Sequence, residues 1–284
     1  MSYNTDKRTY FSIIIATLNV ERTLDKCLES IIQQTSISKI EILVIDCGSN
    51  DKTTDILHAY DKYISYWESS PDTGVYDAWN KVLSRATGEW ILFLGADDTL
   101  FNHSTISNSF TILKDIDSSI DIAYGRVRLV SKENEKIADL GKNWDKTKKC
   151  IKEKMCMPHQ GIFHKKSLFD QNVKFNTKYY ISADYELIRK VLLESNVLYL
   201  DMIISCMRIG GISSNPQNTF TRLKEIRQIN SNHGSRFPGW LWLITFANTC
   251  FRTSLFLLIG EKSGKQILDR FRMVAGLPPY WTKI

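Results

Sequence analysis

Several patterns that would assign a protein to a common class are missing from this 284-residue sequence. Its six cysteines form no CxxC pair and no histidine-rich spacing, so zinc modules and disulfide frameworks are not indicated, and we expect reduced thiols. No GxGxxG turn follows the first apolar run, which argues against a nicotinamide-dependent dehydrogenase. Only 6 prolines and 14 glycines interrupt the chain, and 43% of its residues are hydrophobic, so disorder and fibrous repeats are excluded.

Charge of one sign is not concentrated enough to indicate nucleic-acid binding. The sequence has 37 Lys and Arg against 31 Asp and Glu, a net charge of +6, and the basic residues are scattered until the last third. We therefore expect no nucleic-acid partner. The polar N-terminus leads straight into a short apolar run at residues 11–16, which does not match a secretory signal and predicts a cytoplasmic protein.

Alternating strand and helix patterns predict the fold of the N-terminal half. Short apolar runs at residues 11–16, 41–46 and 90–94 are typical of buried parallel strands. Apolar side chains at helical spacing over residues 24–32, and a helix start near residues 51–60, separate these strands. Strands that alternate with helices in this way predict an α/β protein with a doubly wound sheet.

The next part of the chain is less regular. Further strands are predicted at residues 121–130 and 197–207, with a helix over residues 183–193 before the last one. Between them, residues 131–154 are rich in lysine and lose the apolar period, which predicts an excursion or flexible loop.

A nearly uncharged segment at residues 237–260 contains the single charge Arg252. As a helix it is amphipathic rather than bilayer-spanning, because its polar side chains form one stripe opposite a broad apolar face. The stripe consists of Thr245, Asn248, Thr249 and Arg252. Basic flanking residues favour an anionic membrane surface, while packing on the domain or a partner subunit stays open. We divide the chain into a catalytic domain, residues 1–215, and a helical membrane- or partner-associating segment, residues 216–284.

Polar side chains follow each predicted strand, at the edge of an open parallel sheet where ligands bind. They are Thr17, Asn19 and Glu21 after the first strand, Asp46 and Ser49 after the second, and Asp97 and Asp98 after the third. Carboxylates crowded at one rim need a cation, and Mg²⁺ or Mn²⁺ binds through one or two carboxylates together with substrate phosphates. This predicts a diphosphate substrate, although an Asp pair that only closes a turn stays open.

Four segments carry a family resemblance. The sequences ATLN at residues 16–19, DCGSNDKT at 46–53 and GADD at 95–98 resemble those of family 2 glycosyltransferases, nucleotide-sugar enzymes with the GT-A fold. SPDTGVYDAWNK at residues 70–81 is similar to the branch that builds bacterial surface polysaccharides such as O-antigen. The resemblance covers residues 10–215 and implies a Rossmann-like, mixed but mainly parallel sheet with flanking helices, followed by the C-terminal amphipathic helical extension.

The resemblance also implies roles for the matching residues. Contacts with the nucleotide and donor are expected from Thr17, Asn19, Glu21, Asp46, Ser49, Asp72, Asn80, Lys81 and Asp97. Asp46 is expected to accept the uracil N3 proton, which favours uridine. Ala96 replaces the first acid of the family's DxD motif, so the ribose contact passes to Asp97, and Asp98 is the expected ligand of Mn²⁺ or Mg²⁺. Ser49 as a mere turn residue and Asn80 as a solvated helix residue stay open.

The catalytic base is expected in the segment SADYE at residues 182–186. Inverting transfer needs a base that takes the proton of the acceptor hydroxyl, and the resemblance assigns this role to Asp184. Many relatives have Glu where Ala183 stands. From spacing alone, a helix N-cap at Ser182 or Asp184 explains the segment equally well.

Two further segments match loops near the substrate in relatives. In MPHQG at residues 157–161, His159 and Gln160 are expected beside the acceptor and donor sugar. In GGIS at residues 210–213, Gly211 and Ser213 are expected to close over the diphosphate.

The resemblance thus predicts an inverting, metal-dependent hexosyltransferase. Its expected donor is a UDP-sugar. Its expected acceptor is a hydroxyl of an oligosaccharide that is carried on polyprenyl diphosphate. We expect the protein to lie on the inner face of the cell membrane as a peripheral protein. A GDP- or TDP-sugar transferase with another acceptor, and an inactive nucleotide-sugar-binding subunit, are the alternatives. The sequence leaves the sugar, the linkage and the oligomeric state open.

Overall fold

The computed structural model describes residues 8–171, 173–192, 196–211, 218–277 and 279–283. The strands are β1 (Phe11–Thr17), β2 (Ile40–Asp46), β3 (Tyr66–Ser69), β4 (Trp90–Gly95), β5 (Thr99–Leu100), β6 (Ile120–Val130), β7 (Lys136–Leu140), β8 (Ile162–Lys165) and β9 (Asn196–Arg208). The helices are α1 (Leu24–Ile32), α2 (Thr53–Ala59), α3 (Val75–Val82), α4 (Thr105–Leu113), α5 (Trp144–Cys150), α6 (Lys166–Asp170), α7 (Ala183–Val191), α8 (Thr219–Asn232), α9 (Trp240–Ile259) and α10 (Glu261–Val274).

One mixed sheet runs through the described residues in the order β3-β2-β1-β4-β8-β6-β9-β5, with β7 paired to β6. Strands β3, β2, β1 and β4 are parallel, β8 is antiparallel to both of its neighbours, and β6 and β9 are parallel to each other. The parallel strands end at the same edge, which gathers the loops after β1, β2 and β4. The predicted α/β sheet with flanking helices is confirmed.

Two apolar layers explain why these segments fold as they do. Ile13 and Ile15 of β1 face one layer and Ile14 faces the other, since successive side chains of a strand point to opposite faces. Helix α1 adds its apolar stripe to the first layer through Leu24 and Leu28. A strand covered on both faces carries a continuous apolar run, which is the pattern seen in the sequence.

The lysine-rich segment corrects two expectations. Of the predicted excursion or flexible loop, the flexible loop is wrong, because β7 pairs with β6 and α5 follows it. At the end of α5 the chain turns so that Cys150 and Cys156 have Cα atoms 6.4 Å apart and their sulfurs are bonded, whereas all cysteines were expected to be reduced. The remaining cysteines, Cys27, Cys47, Cys206 and Cys250, are free thiols.

The C-terminal helices differ in how they meet the domain. Helix α8 buries Leu223, Ile226 and Ile229 in the domain core. Helix α9 buries Thr249 of its polar stripe, while Thr245 and Arg252 are half-buried and Asn248 is exposed, and it leaves most of its apolar side chains exposed. It is long and apolar enough to cross a membrane by length and composition, and only 6% of its apolar window is buried in the protein. The domain boundary at residue 215 stays a prediction.

Candidate active site

A cleft of about 570 Å³ opens at the sheet edge where β1 and β4 end. Its polar lining contains Thr17, Cys47, Asp72, Asp97, Asp98, His159, Gln160, Asp184 and Arg208, and Gly211 also lines it. Tyr76, Trp79 and Phe93 form an apolar wall. Carboxylates from loops far apart in the chain therefore meet in one cavity.

Asp97 and Asp98 form the acidic centre of the cleft. Asp98 is 2% exposed, and its Oδ1 accepts a hydrogen bond of 2.9 Å from the backbone N–H of Arg208. Burial raises the pKa of both carboxyl groups, and the charge of Asp97 raises the pKa of Asp98 further. Both side chains fold back over Gly95, where a Cβ atom would meet Asp98 Oδ2 at 2.6 Å and Asp97 Oδ1 at 2.9 Å. The sequence needs glycine there to let the pair point into the cleft.

Asp184 lies on the first turn of α7 and lines the same cleft. Its Oδ1 accepts a 2.7 Å hydrogen bond from the N–H of Tyr185 and a 3.2 Å bond from the hydroxyl of Tyr76. Burial raises the pKa of Asp184 to about 6. Ser182 is the N-cap residue, but its side chain makes no capping bond. Asp184 therefore accepts a hydrogen bond from the first turn of α7, and its raised pKa also allows it to exchange a proton near neutral pH.

Two buried ring nitrogens of residues that line the cleft have no hydrogen-bond partner among the described residues. They are Nε2 of His159 and Nε1 of Trp79. The His159 ring stacks on Phe93 with centroids 5.3 Å apart, and burial holds the pKa of His159 well below its usual range, so the imidazole is neutral. Buried polar atoms without partners are costly, so these two nitrogens call for an explanation.

Asp46 organises two loops beside the cleft. Its buried carboxylate accepts hydrogen bonds from the hydroxyls of Thr17, Ser49 and Ser69 and from the N–H of Ser49. Burial alone would raise the pKa of Asp46, but these bonds lower it. With its oxygens engaged inside the protein, Asp46 fixes the ends of β1 and β2. Its contact with uracil stays a prediction.

The other predicted donor residues are placed differently. Asp72 lines the cleft, and its Oδ1 accepts hydrogen bonds from Cys47 Sγ at 2.9 Å and Gly74 N–H at 2.8 Å. Asn19 and Glu21 instead bond the loop after β2, through the N–H groups of Asn50 and Lys52.

Asn80 and Lys81 also make internal bonds. Asn80 exchanges two hydrogen bonds with the backbone of Phe175, and Lys81 donates to the carbonyl of Pro71. None of Asn19, Glu21, Ser49, Asn80 or Lys81 borders the cleft in the described part of the chain. Ser213 lies outside the described residues.

With this geometry in view, comparison with known proteins identifies the family. The model of glycosyl transferase family 2 matches residues 12–168, more than half of the chain. The chain belongs to glycosyl transferase family 2. It is therefore a glycosyltransferase, as the sequence motifs predicted.

Relatives of this glycosyltransferase extend the match beyond the family model. A PGL/p-HBAD biosynthesis glycosyltransferase of Mycobacterium bovis is 36% identical over 181 residues, 62% of this chain and 67% of that protein. An uncharacterized glycosyltransferase of Mycobacterium tuberculosis is 24% identical over 225 residues, 78% of this chain and 84% of that protein. The chain thus spans about two thirds of the first of these relatives.

Solved structures confirm the GT-A fold of this glycosyltransferase. S. aureus TarS 1-349 in complex with UDP-GlcNAc superposes with a TM-score of 0.62 at 19% identity, covering 78% of this chain and 66% of that one. The mannosyltransferase PcManGT from Pyrobaculum calidifontis, in complex with GDP-Man and Mn²⁺, gives a TM-score of 0.62 at 16% identity, covering 97% and 83%.

The residues of this glycosyltransferase fit a divalent cation that a substrate helps to bind. Asp97, which is half-buried, and Asp98, which is buried, supply hard oxygen donors, and the charge of Asp97 raises the pKa of Asp98. Among the described residues no three His, Cys, Asp or Glu side chains cluster as a complete metal site. Phosphate oxygens and water would therefore have to supply the remaining ligands, which is how Mg²⁺ and Mn²⁺ usually bind in nucleotide sites.

Sequence reasoning missed residues that hold Asp184 and the segment before it in place. Glu225 of α8 is 8% exposed and accepts hydrogen bonds from the backbone N–H groups of Tyr180 at 2.7 Å and Ile181 at 3.0 Å. Tyr76 donates to the carbonyl of Ile181 as well as to Asp184. These contacts join segments 44 to 108 residues apart, so no local pattern announces them. Tyr76 could have been found from the sequence, because it lies within the segment at residues 70–81 that carries the family resemblance.

Proposed function

We propose that this family 2 glycosyltransferase moves a hexose from a UDP-sugar to a hydroxyl of a lipid-linked oligosaccharide, with inversion, in the synthesis of a bacterial surface polysaccharide. The observation that carries the proposal is the presence of Asp184 and the Asp97–Asp98 pair in one cleft. A base at one end and oxygen ligands for a diphosphate-bound cation at the other are the parts that such a transfer needs.

Side chains of the cleft would supply the base and the cation ligands that the transfer needs. Asp184 in its ionised form takes the proton of the acceptor hydroxyl as the oxygen attacks the anomeric carbon. The hydroxyl of Tyr76 and the N–H of Tyr185 hold the carboxylate in place. Asp97 and Asp98 would hold Mn²⁺ or Mg²⁺, which supplies charge for the diphosphate leaving group.

The sugar itself would meet the apolar wall of the cleft. The partnerless ring nitrogens of His159 and Trp79 are suited to sugar hydroxyls, with Gln160 beside them. Tyr76, Trp79 and Phe93 supply the apolar surface, which keeps bulk water away from the reacting centre.

Uridine is our preferred nucleotide, with support from the complex of UDP-GlcNAc with TarS, a structural neighbour. A GDP-sugar is the alternative, because PcManGT carries GDP-Man on the same fold. An inactive nucleotide-sugar-binding subunit is the remaining alternative, and it predicts donor binding without transfer.

The C-terminal helices support the proposal that the protein lies on the inner surface of the cell membrane. Trp240 of α9 is 72% exposed and Val274 of α10 is 89% exposed, and Arg270 and Arg272 add positive charge to α10. Exposed apolar side chains next to basic ones are typical of helices that lie in the headgroup region.

Two linked assays test this function. Isothermal titration of UDP, GDP and TDP, each with and without Mn²⁺, should show tightest binding for UDP with Mn²⁺. Incubation with labelled UDP-sugars and a lipid extract of bacterial membranes should then yield a labelled lipid and release UDP. Donor binding without UDP release or labelled lipid would favour the inactive subunit, and tighter binding of GDP would reassign the donor.

A further inference from the structure

A second cavity, next to the catalytic cleft, is rich in basic side chains, and we call it the basic pocket. It has a volume of about 290 Å³, and the basic residues of its lining are Lys26, Arg128, Lys136 and Arg208. Asp97 is the one acidic residue of the lining in the described part of the chain. Small-ligand pockets begin at roughly 300 Å³, so the basic pocket has room for a small molecule, and its charge favours an anion.

The basic pocket and the cleft lie on opposite faces of β6 and β9. Leu129 and Met207 are partners in the register of these strands, and both line the cleft. The preceding pair, Arg128 and Cys206, lines the basic pocket instead. Successive side chains of a strand point to opposite faces, so the basic pocket is a space separate from the cleft.

Arg128 is held in place by contacts on one edge and one face of its guanidinium group. Its Nε donates a 2.8 Å hydrogen bond to Asp139 Oδ1, and its Nη2 donates a 3.3 Å bond to Asp139 Oδ2. The guanidinium carbon lies 4.8 Å from the centroid of the Phe101 ring. Nη1 has no hydrogen-bond partner among the described residues, so it remains available to a ligand. A cation fixed in this way loses little freedom when it binds an oxyanion.

The positive charge of the basic pocket is only partly balanced by carboxylates. Lys26, on the first turn of α1, is exposed, and its side chain makes no hydrogen bond or ion pair within the described ranges. Lys136 lies 2.7 Å from Asp139 Oδ2, so Asp139 shares its one charge between Lys136 and Arg128. Two carboxylates, Asp97 and Asp139, thus face four basic side chains, which leaves two positive charges unbalanced. A phosphate monoester, with a charge of about −1.5 to −2 at pH 7, matches this surplus.

Arg208 is the basic residue that links the pocket to the acidic pair of the cleft. Its side chain lines both cavities, and its Nη2 donates a 2.8 Å hydrogen bond to Asn134 Oδ1. Its backbone N–H bonds Asp98. Burial raises the pKa of Asp97, and the charge of Arg208 counteracts this effect. The basic pocket therefore adjoins the acidic pair through a residue that already compensates its charge.

We propose that the basic pocket binds a phosphate group, either free phosphate or the phosphate of a small ester, through Lys26, Arg128 and Arg208. Phosphate is the favoured anion because arginine N–H groups pair with its oxygens and because its charge balances the pocket. A carboxylate carries one charge and would leave part of the surplus unbalanced. The inference goes beyond the proposed function, and it does not depend on which nucleotide sugar the cleft binds.

The test is isothermal titration of the full chain with glycerol 3-phosphate at low salt in EDTA, which keeps divalent cations out of the cleft. Lys26→Gln and Arg128→Gln should each weaken binding about tenfold, the scale of a lost hydrogen bond between charged groups. Arg128→Lys keeps the charge and should retain part of the affinity. Lys132→Gln is the matched control, because it removes an exposed lysine of the turn between β6 and β7 that does not line the pocket. It should bind like the wild type.

Two further probes identify the source of the phosphate. Inorganic phosphate that binds as tightly as glycerol 3-phosphate would identify free phosphate as the ligand, and tighter binding of the ester would identify a phosphorylated compound. Glycerol lacks the charge and should not bind. Thermal melting checks that each variant is folded. Lys26→Gln changes an exposed side chain and keeps the proposal testable if Arg128→Gln, which deprives Asp139 of a partner, does not fold.

The outcomes distinguish this proposal from the proposed function. No binding of glycerol 3-phosphate by the wild type, or equal affinity of the wild type, Lys26→Gln and Arg128→Gln, would overturn the phosphate site even if sugar transfer occurs. UDP affinity should be the same for the wild type and Lys26→Gln, and an equal loss for UDP and glycerol 3-phosphate would place the anion in the cleft and also overturn it. Lys26-dependent phosphate binding by a chain that releases no UDP from UDP-sugars would support the site and refute the function.

Discussion

Replacement of Asp184 with asparagine should strongly lower turnover and stabilise the protein at the same time. Asparagine keeps an oxygen that accepts the hydrogen bonds from Tyr76 and Tyr185. It cannot take a proton from an acceptor hydroxyl, so we expect turnover to fall by about 10²-fold or more while UDP affinity is unchanged.

The stabilisation follows from the pKa of Asp184. Burial raises this pKa from 3.8 to about 6. Because one pKa unit is about 1.4 kcal/mol, the ionised carboxylate destabilises the folded protein by up to about 3 kcal/mol at pH 7.5. The contribution of Asp184 to stability is fully present below pH 3.8 and is lost as the pH rises through about 6. The stability advantage of Asp184→Asn should therefore be largest at pH 7.5 and small at pH 4.

Urea unfolding at both pH values and UDP release at pH 7.5 provide the measurements. Asp115→Asn is the control, because it removes the same charge from a side chain that is 80% exposed. Lost activity with lower stability at pH 7.5 would indicate a structural role, and turnover within tenfold of the wild type would remove Asp184 from the chemistry.

Three other predictions test the site. For the wild type, kcat/KM should increase with pH and level off above about 6, since Asp184 must be ionised, and a flat profile from pH 5 to 8 would contradict this. Asp98→Asn should abolish the Mn²⁺ stimulation of UDP binding in isothermal titration, and stimulation that persists would exclude Asp98 as a ligand. Glu225→Gln should lower kcat about tenfold at unchanged UDP affinity, because an amide NH₂ would face the N–H of Tyr180 or Ile181. The control Glu135→Gln changes an exposed side chain and should leave kcat unchanged. Equal kcat for both variants would remove Glu225 from positioning the base.

Local patterns predicted the parts of the fold that local interactions determine. The apolar runs of β1, β2 and β4 are recognisable because strands buried on both faces carry mainly apolar side chains. The strand within residues 131–154 was not predicted, because β7 is only partly buried and its sequence lacks such a run. The proximity of Cys150 and Cys156 depends on a turn after α5 that composition does not reveal.

The same distinction between local patterns and long-range contacts applies to the candidate site. Asp98 and Asp184 were identified from motifs, and the structure brings both to one cleft. The internal hydrogen bonds of Asp46 and Asn80 were not foreseen, because their partners Ser69 and Phe175 lie 23 and 95 residues away. The positioning contacts of Glu225 are hidden for the same reason, since sequence spacing carries little information on long-range contacts.

The most direct test of the central claim is an experimental electron-density map of the Asp184→Asn variant bound to a UDP-sugar and Mn²⁺. We predict metal density between the diphosphate and Asp98, with the sugar between this metal and residue 184. A diphosphate bound elsewhere, or a sugar on the far side of the metal from residue 184, would contradict the account.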